Sequence, residues 1–426
     1  MTRIARRSLP LLATLALAAL APGRFALALP GVPAVRKLPN GLTVVLLEDH
    51  AVPLVSVSLW VHAGSKDEIE TSAGYAHFLE HLVQRGNDSS APFEYQRLAH
   101  RWGGAVSVRA NYDRTSITAT GVPSALPDLL AAVAGMGLRA SLKDAEIDQE
   151  LGALTQEIRN YYDDPASVAF LETMRATFPG HPYRFPPLGN FRTLGVLKSE
   201  PLRAFYRNLY VPNNMALVLA GDLDPARAAT LAETAFGKAR KSLTLPPKPP
   251  PPAGFPGHND IEKRLELKEA WTNLSFSAPG YRHRDRAAFE VIARALGESS
   301  PSPVTAALVK AQAGSSARTV YYRLEDAGML YVGLQPATPE LSYTAADVAL
   351  KEIVAFRERG LGEADLRSIL DRILRDERTR AEQIASQAEG LGEAALFGGA
   401  RYYWDLASVY ARLTPEEIRR VASTWL

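Results

Sequence analysis

Gly74-Tyr75-Ala76-His77-Phe78-Leu79-Glu80-His81 combines an apolar helical stripe with side chains able to hold or serve a metal ion. Successive residues of a helix turn by about 100°, so His77 and His81 project within about 40° of one another. Two imidazoles on one face can reach one metal. Glu80 lies about 60° to the other side of His77, close enough to touch a water at that metal without being a ligand, which is where a general base must stand. The order is the reverse of His-Glu-x-x-His, with the glutamate placed beside the second histidine.

The chain has no cysteine, so any zinc must be bound by histidine and carboxylate. A helix expected over 144–162 presents Glu150 and Glu157 seven residues apart, two turns along one face, and both are candidates to complete the set. His50, His62, His100, His181, His258 and His283 show no ligand spacing and read as ordinary turn or surface residues.

Outward from this helix, residues 42–47 and 54–61 are Val-rich apolar runs read as two strands of a hairpin. Helices are expected over 71–84, 92–102 and 127–140, strands within 106–120, and a further strand over 215–220. Helices and strands mix without strict alternation, which favours an α+β fold, helices on one face of a mostly antiparallel sheet. The second half repeats this outline: strands within 265–278, 318–324 and 328–334, helices over 286–296, 344–359 and 363–390, and a last helix over 413–426. Two homologous domains are expected, 29–242 and 258–426, the second without its last strand. Between them, residues 243–257 carry a proline run whose extended conformation makes a semi-rigid spacer of roughly 30 Å.

At 426 residues, 46% hydrophobic and 22% charged, the chain has the composition of a globular protein long enough for two cores. A net charge of +2 with interspersed signs excludes a nucleic-acid footprint. Residues 1–28 read as a signal peptide: Arg3, Arg6 and Arg7, an apolar run ended by Pro22, and Ala26-Leu27-Ala28 as a cleavage site. Its apolar run is too short for a stable span, so a periplasmic or secreted location is expected.

Gly74-Tyr75-Ala76-His77-Phe78-Leu79-Glu80-His81 followed by Glu157 resembles the pitrilysin or insulinase-like zinc metallopeptidases. Gly64-Ser65, Glu68, Gly103-Gly104, Asp113-x-Thr115, Asp163-Asp164-Pro165, His181-Pro182-Tyr183 and Tyr210-x-Pro212-x-Asn214-Met215 extend the likeness over most of residues 38–225. The resemblance implies a clam-shell arrangement and one zinc ion held by His77, His81 and Glu157. It also makes Glu80 the catalytic base and Glu150 a supporting acid. The implied activity is endopeptidase cleavage of short or unfolded peptides. These add as a strand along 103–108, so Ala105, Val106 and Ser107 are the expected substrate-binding residues. The family usually has Asn-Ala where Ser107-Val108 stand, so a contact from that asparagine is not expected here except as Ser107 partly replaces it.

In single-chain relatives an arginine and a tyrosine of the second half reach the substrate; Lys310 and Ala317 stand at those positions, with Arg318, Tyr321 and Tyr322 nearby. Lysine has no planar fork and alanine no donor. By resemblance to mitochondrial processing peptidase, the chain is expected to be the catalytic subunit of a heterodimer whose homologous partner supplies the arginine and tyrosine. The alternative is a non-catalytic binding or assembly subunit of a peptidase-like complex.

Overall fold

The computed structural model describes residues 31–426 apart from 88, 89, 92, 254–259, 265–269 and 299–301; the signal peptide expected at 1–28 lies outside them. The first half runs β1 (Ala34–Lys37), β2 (Thr43–Glu48), β3 (Val55–Val61), α1 (Tyr75–Leu82), α2 (Glu94–Arg101), β4 (Val106–Ala110) and β5 (Thr115–Gly121). It continues with α3 (Leu126–Leu138), α4 (Asp144–Asp163), α5 (Pro165–Thr177), α6 (Phe191–Gly195), α7 (Ser199–Leu209), β6 (Met215–Gly221) and α8 (Pro225–Phe236). The second half begins with β7 (Thr272–Ala278), α9 (Arg286–Gly297), α10 (Pro303–Lys310), β8 (Gly314–Arg323) and β9 (Gly328–Pro336). It ends with α11 (Ser342–Arg359), α12 (Glu363–Ala381), α13 (Ile384–Phe397), α14 (Ala400–Tyr410) and α15 (Pro415–Trp425). The order strand, two helices, two strands, three helices occurs in both halves, which is the repeat expected from the sequence.

The first sheet has the order β1-β2-β6-β3-β5-β4, antiparallel except for the β2–β6 pair. The expected hairpin of 42–47 with 54–61 does not form. β6 inserts between those strands, parallel to β2 and antiparallel to β3. Every residue of β3 and β6 is buried, and a strand apolar on both faces needs a neighbour on each side and cover above and below. The second sheet is antiparallel, with the order β7-β9-β8 among the described residues.

A second correction concerns the helix expected over 363–390. The chain breaks at Gln383, whose backbone is extended, and α13 departs from the line of α12. Its Ile384, Ala388 and Leu391 pack against Val45, Leu47, Trp60, Ala216 and Val218 on the face of the first sheet opposite α3 and α8. A Cβ at Gly392 would lie 2.0 Å from the Trp60 indole nitrogen, so only glycine permits this approach. The exchange is reciprocal: Met174 and Phe178 at the end of α5 pack on Leu324, Met329 and Tyr331 of the second sheet. Each domain's own helices cover one face of its sheet, and the other domain covers the opposite face.

At the centre of this interface Lys66 is 1% exposed. Its ammonium lies 3.2 Å from Asp113 and 2.9 Å from Asp326, and contacts Glu325 directly. Burial raises Glu325, but the hydrogen bond from His62 and the charge of Lys66 outweigh it and hold this carboxyl at about 2. At Asp113 burial prevails over Lys66, and the carboxyl is raised. Asp113 accepts from the Tyr183 hydroxyl and the Glu325 amide, but the like charge of Glu325 adds to burial there, whereas His62, at 2.6 Å, lowers Glu325 by hydrogen bond and charge. Replacement of Lys66 by methionine would leave three carboxylates without their shared cation. A loss of about 3–5 kcal/mol is expected, read as a lowered urea midpoint at pH 7.

Candidate metal centre

The helix that carries His77 and His81 starts in an unusual way. Gly74, its N-cap, has φ +99, and a Cβ there would meet the Gly189 Cα at 2.9 Å. Free amides of the first turn are met by Glu68, whose carboxylate accepts from the Gly74 and Ala76 N–H groups, both at 2.7 Å. Burial raises the Glu68 carboxyl well above the usual range in spite of these donors. Phe78, Leu79 and Leu82 then turn into the core, which leaves His77, Glu80 and His81 half-buried on the opposite side. Ile147, Leu154 and Ile158 anchor α4 to the same core and set Glu150 and Glu157 against α1.

The His77 and His81 rings meet edge to face at 4.9 Å between centroids. Glu157 Oε2 lies 3.4 Å from His77 Nε2 and 3.7 Å from His81 Nε2. Tetrahedral zinc bound at about 2.0–2.1 Å puts its ligand atoms about 3.4 Å apart, so the spacing fits that ion. Burial, with His81 adding to it, lowers His77 to about 4, which keeps the imidazole neutral and able to ligate. Of the two candidate carboxylates on α4, Glu157 faces the histidines' Nε2 atoms, and Glu150 instead lies 3.2 Å from His81 Nδ1. Glu80 is raised by burial and by Glu157, against the lowering effects of the Ala110 amide, His81 and Arg109.

Ala110 donates to Glu80 Oε2 at 2.8 Å, and this bond reveals the orientation of β4. β4 is one of the two outer strands of the sheet and, among the described residues, is paired only with β5. Thr120 N–H donates to Ala105 O, so the amides and carbonyls of Ala105, Ser107 and Arg109 face β5. Those of Val106, Val108 and Ala110 face the open edge. Of Ala105, Val106 and Ser107, only Val106 thus offers its backbone to an added strand; Val108 joins it, and Glu80 holds the next amide. This parity could have been read from the turn at Asn111–Arg114, had its closing bond been known.

The remaining expected residues are dispersed. Tyr321 donates to Pro279 O at 2.6 Å and packs on Phe289, Tyr322 packs on Phe170 and Tyr331, and Lys310 and Arg318 are exposed. His62 and His181, read as turn or surface residues, instead belong to the interface. His62 pairs with Glu325, and buried His181 stacks on Tyr183, which donates to Asp113 at 2.5 Å.

The sequence profile described as Insulinase (Peptidase family M16) matches residues 43–189, and that described as Peptidase M16 inactive domain matches residues 197–373. An uncharacterized zinc protease of Streptomyces coelicolor is 24% identical over 92% of this chain and 87% of its own length. Mitochondrial-processing peptidase subunit beta of Blastocladiella emersonii is 28% identical over 48% of this chain and 44% of its own. A crystal structure of a protease from Helicobacter pylori shares the fold, with a TM-score of 0.85 at 20% identity, over 93% of this chain and 97% of that one. Gly74→Ala should cost more than about 1 kcal/mol, because alanine cannot adopt this φ without strain. Thermal melting together with zinc titration should show both the fold and the metal centre weakened.

Proposed function

Since the chain belongs to the insulinase family of peptidases, we propose that it is a zinc-dependent endopeptidase acting on short or unfolded peptides. The observation that carries the proposal is the fit of His77, His81 and Glu157 to one tetrahedral ion, with Glu80 anchored beside them. Zinc held there would supply Lewis acidity to a water molecule and to a peptide carbonyl. Glu80 takes the proton of that water and later delivers it to the leaving nitrogen. Its raised affinity for protons suits both steps. A peptide strand would bond to Val106 and Val108, and its path along the edge leads toward Glu80. Such recognition reads backbone more than side chains, consistent with unfolded substrates.

The chain is further proposed to work with a homologous subunit in the periplasm or outside the cell. Lys310 ends an exposed helix turn and Ala317 carries no donor, so this chain has no arginine and tyrosine at the two positions. Among the described residues no helix is long and apolar enough to cross a membrane. Two outcomes are expected. Glu80→Gln should lower peptide hydrolysis by about 10²–10⁴ while zinc content stays at one per chain; equal activities would favour the binding-subunit alternative. Addition of a homologous chain that lacks the metal motif but has the arginine and tyrosine should raise kcat/KM well above that of this chain alone, in a fluorogenic peptide assay.

A further inference from the structure

Arg85 closes the short turn Val83–Arg85 that follows α1, and so returns toward α4. Nε and an Nη of its guanidinium both contact Glu150 Oε1. The other carboxylate oxygen, Oε2, faces His81 Nδ1 at 3.2 Å. When Nδ1 carries the proton and donates it to Glu150, Nε2 keeps its lone pair for the metal. Glu150 is 5% exposed, and with both Arg85 donors on Oε1, Oε2 is the oxygen turned to His81. Arg85 is itself held: its Cζ lies 4.4 Å from the centroid of the Phe93 ring, and Phe93 has φ +59, a backbone region that bulky residues rarely enter. His77 has no comparable support, since its Nδ1 is buried without a hydrogen-bond partner among the described residues.

We propose that Arg85 is a positioning residue of the metal centre, acting through Glu150 to fix the tautomer and direction of His81. This inference rests on the zinc reading above. The contrasting role is neutralisation of a buried carboxylate, for which any cation would serve. Lysine separates the two, because it preserves the charge and lacks the fork.

The test measures zinc affinity by chelator competition, and the visible d–d bands of the cobalt-substituted protein, for the full chain and for Arg85→Lys, Arg85→Met, Glu150→Gln and the Arg85→Met/Glu150→Gln pair. Glu150→Gln and Arg85→Met should each weaken zinc binding about 10- to 100-fold, with altered cobalt bands, and Arg85→Lys should fall between them and the unaltered chain. The double variant should bind no more weakly than Glu150→Gln, because one path is being cut twice. Full affinity in Arg85→Lys, or additive losses in the double variant, would overturn the proposal, and the lysine variant decides the matter even where methionine prevents folding. An unaltered chain that takes up no zinc would remove the metal reading itself, a result distinct from normal uptake that is indifferent to Arg85.

Discussion

A single buried ammonium, that of Lys66, organises much of this molecule. It gathers Asp113 from the turn between β4 and β5, and Glu325 and Asp326 from the turn between β8 and β9. Asp113 also accepts from the Glu325 amide and the Tyr183 hydroxyl, so backbone and side chains of both domains close on one point. Buried ion clusters add little net stability compared with apolar packing, but are costly to break and hold poorly with wrong partners. Their effect here is on geometry. Lys66 precedes α1 by a short loop, and the hairpin it holds contains Ala110, which anchors Glu80. The relation between base, open strand edge and histidine pair is therefore tied to the junction of the domains.

Exchange of α5 and α13 complements that charged centre with apolar contact. Each sheet takes apolar cover from the other domain on the face its own helices leave, while β7 and the first half of β8 stay partly exposed. Chemistry is nonetheless divided unequally. The proposed ligands, the proposed base and the open strand edge all come from the first domain, while the second covers the reverse face of its sheet and supplies Glu325 and Asp326. The helix that carries His77 and His81 packs Phe78, Leu79 and Leu82 into the core on one side of the sheet, and α13 completes the burial of β3 and β6 from the other.

Local features were legible from the residues. The periodicity of α1 placed His77, Glu80 and His81, and the seven-residue spacing on α4 placed both glutamates toward one side. Which of the two would face the histidines' Nε2 atoms was not legible from spacing alone. That depends on the angle at which α4 crosses α1, set by Ile147, Leu154 and Ile158 in the core. Arg85 was overlooked because nothing near it in sequence signals Glu150, 65 residues away. His62 and His181 were misread for the same reason: their partners lie in distant segments.

The repeat, the class of fold and the candidate donors can be read from the residues alone, because helix and strand periods and side-chain chemistry are local properties. Long-range packing sets the parting of β2 from β3 by β6, the break at Gln383 in the helix after Gly362, and the turn of Val106 and Val108 to the open edge. Each of these follows from which distant surface buries an apolar face or satisfies a backbone amide. Pairing across hundreds of residues is chosen by the fit of the whole core, and that information is not carried by any one segment.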